Sequence, residues 1–166
     1  PLEDFFKAIE AGVEQLRLRR DAVILCEPGR AVVASGLSLL VQVQLRKGDS
    51  LYINDGIYHS LSEPLVFNNH LPVRLIRPDG PAAAESRDFT IYGPTCDSHD
   101  VLPTPFTLPV DVREGDWIEV GQVGAYSNAL ATGFNGFKPE TFVELEDEPP
   151  GPKVFAPKTT SPKAAR

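Results

Sequence analysis

The sequence predicts a mainly β protein, an antiparallel β-sheet or barrel domain preceded by the last helix and strand of an α/β barrel. Three observations predict it. Short runs with alternating apolar residues recur from Val41 onward and are separated by Gly, Pro, Asn and Asp, the punctuation of an antiparallel sheet. Residues 1–20 carry apolar side chains at helical spacing, and Ala22–Cys26 is a continuous apolar run, which reads as a strand buried on both faces. The dividing line falls near residue 36, giving a barrel-closing segment at 1–36, a β domain at 37–147 and a disordered tail at 148–166.

In the first segment, Leu2, Phe5, Phe6, Ile9, Val13 and Leu16 form the apolar stripe. Pro1, Glu3 and Asp4 suit a helix start, and Arg17, Arg19 and Arg20 suit its end. Leu37–Leu40 is expected to form a short helical connection. The strand candidates are then Val41–Leu45, Ser50–Ile53, Leu71–Ile76, Asp88–Tyr92, Asp116–Val120 and Thr141–Glu146. Asn54-Asp55-Gly56 is a strong turn signal. Ala125–Leu130 favours a helix, and Pro78–Ser86 a surface loop. Beyond Glu148 the chain is rich in Pro, Lys and Thr, a composition that does not build a core.

The 166 residues include 42% hydrophobic and 23% charged residues, an ordinary globular composition. The net charge is −7, and the tail from Gly151 holds Lys153, Lys158, Lys163 and Arg166 without an acid, so the body is more acidic than the whole. An acidic body argues against nucleic-acid binding. It suits cationic substrates. No apolar run reaches the length of a membrane span, and Pro-Leu-Glu-Asp-Phe-Phe is unlike a signal peptide, so the expected location is cytoplasmic. Cys26 and Cys96 with His59, His70 and His99 show no metal-ligand spacing, so no metal is expected.

Three motifs carry chemistry. Glu27-Pro28-Gly29-Arg30 follows the expected barrel strand, at the end where α/β barrels keep their active sites. Gly29 lets a ligand approach the backbone, and Arg30 offers a planar fork for phosphate oxygens. Gly93-Pro94-Thr95-Cys96-Asp97-Ser98-His99-Asp100 places a thiol, carboxylates and an imidazole in one polar loop, where reactive thiols are found. Gly124-Ala125-Tyr126 is followed by Phe134-Asn135-Gly136-Phe137.

In this order, from about residue 2 to about residue 146, the three motifs resemble the C-terminal part of the pyridoxal-phosphate-dependent ornithine/lysine/diaminopimelate/arginine decarboxylases. The resemblance implies a role for each residue. Glu27 would face the pyridine nitrogen of pyridoxal phosphate, while Gly29, Arg30 and Tyr126 would hold its phosphate. Cys96 would return a proton to the substrate carbon after decarboxylation. Asp97 would bind the distal ammonium of a diamine-forming substrate. Both would act across a homodimer interface, near which Phe134 packs. Asp100 would support the loop or the substrate, and an Asx-type turn explains it equally. Asp97, where diaminopimelate decarboxylases tend to carry glutamate, favours ornithine or lysine. The family lysine that binds the cofactor covalently lies in an N-terminal barrel domain, and none of Lys7, Lys47, Lys138, Lys153, Lys158 and Lys163 resembles its context.

The chain alone is therefore expected to be inactive and to need that barrel domain. Two departures stand out: His59 where the family often has glycine, and Asn68 where ornithine decarboxylases of eukaryotic type carry an acidic residue. The alternatives are a decarboxylase for diaminopimelate, arginine or a D-amino acid, and a non-catalytic dimerisation or binding module.

Overall fold

The computed structural model describes residues 2–68 and 70–146, so the expected tail at 148–166 lies outside the described residues. The chain divides into two compact units, one ending at Pro28 and one beginning at Gly29.

The first unit contains helix α1 (Leu2–Gln15). Glu3 and Asp4 lie in its first turn, where they favour the positive end of the helix dipole. The helix stops short of the expected residue 20, because Arg17 adopts a left-handed backbone with φ 46°. Residues 22–26 do not form the expected strand. They are irregular, and Val23, Ile24 and Leu25 are exposed. A strand exists through its ladder, and the described part of this unit contains a helix and no second strand.

The second unit opens with helix α2 (Gly29–Val33) and a 3-10 turn at Ala34–Gly36. Leu37 is already extended, and strand β1 (Leu39–Lys47) begins where a helical connection was expected. The alternation that buries Val41 and Val43 reaches back to Leu39 and overrides the local leucine-rich helix signal. The remaining elements are β2 (Ser50–Ile53), α3 (Ser62–Phe67), β3 (Val73–Ile76), β4 (Ser86–Tyr92), β5 (Phe106–Pro109), β6 (Trp117–Val120) and α4 (Ser127–Leu130). A 3-10 turn at Phe134–Gly136 follows. Residues 141–146 are exposed and irregular instead of forming the expected strand. Their apolar members Phe142, Val143 and Leu145 find no core to alternate against.

The six strands form one sheet in the order β3-β6-β1-β2-β4-β5, and its edge strands β3 and β5 approach each other, giving a nearly closed, barrel-like sheet. Four ladders are antiparallel, but β2 and β4 pair in parallel, Leu51 opposite Ile91. The segment between them contains α3 and β3, the long crossover that a parallel pair requires. A bulge in β1 lies between Val43 and Leu45. The core gathers Val41, Val43, Leu51, Ile53, Phe89, Ile91, Phe106, Leu108, Ile118 and Val120 from the inner faces. Strand β5 was hidden from sequence reading by Pro103, Pro105 and Pro109. Its place at the sheet edge is where proline is tolerated.

Candidate functional site

Two constellations in the second unit contain most of the sequence-predicted residues. The first joins Arg30, Tyr126 and a residue that sequence reading passed over, Glu63. Arg30 lies on α2, and the Gly124 amide donates to the Ala34 carbonyl at 2.9 Å, tying the two segments together. Gly124 is required there, since a Cβ would stand 1.9 Å from the Val33 carbonyl oxygen. The Arg30 guanidinium lies 5.2 Å from the Tyr126 ring centroid, a cation–π arrangement. It also forms an ion pair with Glu63 on α3, whose side chain is 1% exposed while that of Arg30 is 38% exposed. Tyr126 has φ 66°, a strained conformation for a bulky residue, and its ring remains half exposed. A Cβ on Gly29 would touch nothing within 4 Å, so the backbone there is open to approach. Glu27 is exposed and belongs to the first unit.

The second constellation is the loop after β4. Asp100 is its keystone. The residue is 2% exposed. Its Oδ1 accepts from the Ile57 amide at 3.1 Å, and its Oδ2 accepts from the Thr95 amide at 3.1 Å and the Thr95 hydroxyl at 2.7 Å. The carboxylate thus fastens the turn after β2 to the loop bearing Cys96 and Asp97. Gly93 gives it room, since a Cβ there would lie 2.2 Å from Oδ1.

Asp97 faces outward. Its Oδ2 accepts from the Tyr58 hydroxyl at 2.5 Å, and its Oδ1 meets the His99 amide at 2.9 Å and the His99 Nδ1 at 3.0 Å. These donors, Tyr58 first, hold its carboxyl down at about 2, against an ordinary value of 3.8. The same bond raises the Tyr58 phenol above its usual range. Asp97 is therefore an anion at every physiological pH. Cys96 is exposed and receives the Asn135 amide nitrogen at 3.8 Å from its sulfur.

The turn carrying Phe134 and Asn135 is stitched to residues 58 and 59. Thr132 donates to the Tyr58 carbonyl through its amide at 3.0 Å and its hydroxyl at 2.8 Å. His59, fully buried, places Nε2 3.0 Å from the Phe134 carbonyl, and the Tyr58 and Phe134 rings lie 4.7 Å apart. The turn expected at Asn54-Asp55-Gly56 falls slightly later, at residues 57–61, where the His59 amide donates to the Gly56 carbonyl at 3.0 Å, and its Tyr58 and His59 connect both loops. Asn68 caps α3 in a left-handed conformation and is exposed.

A family model described as the C-terminal sheet domain of pyridoxal-dependent decarboxylases matches residues 31–124. The chain belongs to this family. Among similar sequences, ornithine decarboxylase of Schizosaccharomyces pombe is 38% identical over 139 residues, covering 75% of this chain and 32% of the relative. Antizyme inhibitor 2 of Xenopus laevis is 34% identical over 138 residues, covering 71% and 29%. Among solved structures, the arginine decarboxylase of Paramecium bursaria Chlorella virus bound to agmatine superimposes with a TM-score of 0.65 at 30% identity, covering 79% of this chain and 36% of that one. The lysine/ornithine decarboxylase of Vibrio vulnificus complexed with cadaverine gives 0.62 at 32% identity, covering 80% and 36%. The chain spans about a third of the length of these relatives.

Membership in the pyridoxal-dependent decarboxylases implies pyridoxal phosphate as the cofactor. The first constellation fits such a group. The Arg30 side chain, partly exposed and held by a buried carboxylate and an aromatic face, brings a guanidinium together with a tyrosine and an open glycine backbone. Among the described residues no helix is long and apolar enough to cross a membrane, and no cluster of three metal-ligating side chains occurs.

Proposed function

We propose that this chain is the C-terminal portion of a pyridoxal-phosphate-dependent decarboxylase that converts ornithine, or lysine, to a diamine in polyamine biosynthesis. The observation that carries the reading is the outward-facing Asp97 carboxylate, kept ionised by Tyr58 and His99 and set beside the exposed thiol of Cys96. A permanent anion next to a proton donor suits a substrate that carries a distal ammonium and must regain a proton.

Arg30, the backbone at Gly29 and the Tyr126 hydroxyl would hold the cofactor phosphate, and Glu27 would keep its ring nitrogen protonated. When bound, pyridoxal phosphate supplies the electron sink for the broken carbon–carboxylate bond. Asp97 pairs with the distal ammonium and orients the substrate. Carbon dioxide leaves, and the Cys96 Sγ–H gives its proton to the carbon that lost the carboxylate, leaving a thiolate that regains a proton from water. Asp100 supports this loop from below, the role its burial favours over substrate contact.

The active protein is a cytoplasmic homodimer in which Cys96 and Asp97 reach the partner's site and Phe134, 43% exposed, lies at the interface. The cofactor's lysine comes from an N-terminal barrel domain, so this chain alone is inactive. The exposed apolar side chains of α1 and residues 23–25 suit docking against such a barrel.

The test measures pyridoxal-phosphate absorbance and ornithine decarboxylation with and without a supplied N-terminal barrel half from a related enzyme. Activity that needs the supplement and disappears in Cys96→Ala supports the reading. A second reading, a non-catalytic binding module, is favoured by the similarity to a relative named as an antizyme inhibitor. A folded chain that binds no cofactor with the supplement, yet associates with a decarboxylase subunit, would select it.

A further inference from the structure

The Glu63 carboxylate is buried to 1% exposure, a costly position for an anion unless a cation meets it. The cation is Arg30, 33 residues earlier in sequence. Glu63 sits in the first turn of α3, where the helix dipole also favours a negative charge. Arg30 has a long, rotamer-rich side chain at the surface. Left to itself it would sample many orientations, and an anion arriving there would have to fix one of them. Here the guanidinium is held at one edge by Glu63 and on one face by the Tyr126 ring. Two elements far apart in sequence thus aim one fork.

We infer that Glu63 is the positioning residue of an anion-binding arginine: it fixes the Arg30 guanidinium in an orientation that suits a phosphate monoester before the ligand arrives. The inference rests on the assignment of Arg30 to the cofactor phosphate. It adds that the phosphate affinity of this site is set from inside the protein, by a carboxylate that does not touch the ligand. Glu63 acts through Arg30, and its acceptor oxygen is the functional part. A glutamine at this position should therefore serve nearly as well as the glutamate, whereas a side chain without an acceptor should not.

The experiment uses the whole chain, 15N-labelled, with inorganic phosphate as the probe. In the wild type, the Arg30 Nε–H should give a resolved resonance with the relaxation of an ordered group, and it should shift with added phosphate. In Glu63→Ala the resonance should merge into the mobile arginine envelope. Phosphate binding should then weaken about three- to tenfold, the ordering cost of one long side chain. Glu63→Gln should restore both properties to within about twofold of wild type, since its carbonyl oxygen still accepts from Arg30. Glu63→Met, which fills the volume without an acceptor, takes the place of the alanine variant if that one does not fold.

An ordered Arg30 with unchanged or tighter phosphate binding in the variant without an acceptor would overturn the inference while leaving the phosphate site standing. Failure of Glu63→Gln to restore order would also overturn it. A wild-type chain in which phosphate never shifts Arg30 would instead remove the assignment of Arg30 itself, and the inference with it.

Discussion

Asp100 and Gly93 offer a stringent test of how the thiol loop is built. In Asp100→Ala, the buried Ile57 amide loses its acceptor outright, and the half-buried Thr95 amide and hydroxyl lose theirs. A stranded buried donor costs about 1–3 kcal/mol. Ile57 should stand near the top of that range, and Thr95 lower because water reaches it, for a total of about 3 kcal/mol. In Gly93→Ala, the new Cβ meets the Asp100 carboxyl at 2.2–2.4 Å, and the three nearest atoms all belong to that group. Three hydrogen bonds hold the carboxyl in place, so it cannot swing aside cheaply, and overpacking should cost about 2–3 kcal/mol.

Combined, the two substitutions should not add. Removing the carboxyl empties the space that the alanine enters, and the double variant should resemble Asp100→Ala alone. The coupling energy is then about 2 kcal/mol, well beyond the error of such a cycle. Urea unfolding of the four proteins, followed by circular dichroism, measures it. Additivity to within about 0.5 kcal/mol would mean that Asp100 is not the wedge between these turns, and the keystone argument would fail.

Asp97 should titrate near 2 by carbon-13 NMR of its carboxyl group, and Tyr58→Phe should move the titration up toward the ordinary carboxylate value, because the Tyr58 hydroxyl is the largest cause of the depression. Since the folded value lies below the unfolded one, the stability Asp97 contributes is fully present above about pH 4 and fades as the pH falls toward 2; acid unfolding of Tyr58→Phe should show a smaller component of this kind, with the His99 contacts supplying the remainder. Asp55→Asn should be neutral or slightly stabilising at pH 7, measured by thermal unfolding. Burial raises the Asp55 carboxyl, and the Gly56 and Ser60 amides donate to its Oδ1, bonds that an asparagine oxygen can take over. Gly124→Ala should lower the melting temperature by on the order of 10 °C, because its Cβ collides with the Val33 carbonyl and no side chain can yield.

Much of the fold was legible because burial on one face writes itself as alternation. Val41 and Val43, Leu51 and Ile53, and Ile118 and Val120 announce β1, β2 and β6 directly. Pairing was less legible than strands. The parallel match of Leu51 with Ile91 depends on the path of the intervening crossover, and no local pattern records it. Residues 22–26 show the opposite failure: a strong apolar run whose strand character depends on ladder partners, and no strand occurs among the described residues of its unit. Likewise, Phe142, Val143 and Leu145 supply apolar, strand-favouring side chains and still form no strand.

The site divides along the same line. Cys96, Asp97, Arg30 and Tyr126 could be nominated from the sequence because the proposed chemistry asks for particular residue types in particular motifs. The residues that tune them were not, because Glu63, Tyr58 and His59 act through partners 33 to 75 positions away. Asp97 and Asp100 make the point most sharply. They are the same residue type, three positions apart, in one polar loop. One turns outward to a phenol and an imidazole and remains an anion down to about pH 2. The other turns inward and spends both oxygens on the chain's own amides and hydroxyl. Residue type alone does not decide which is which. The space left by Gly56 and Gly93 and the donors of Ile57 and Thr95 shape a cavity for one carboxylate. A loop that presents a thiol and an anion at its surface therefore takes its rigidity from a second acidic position that is itself buried.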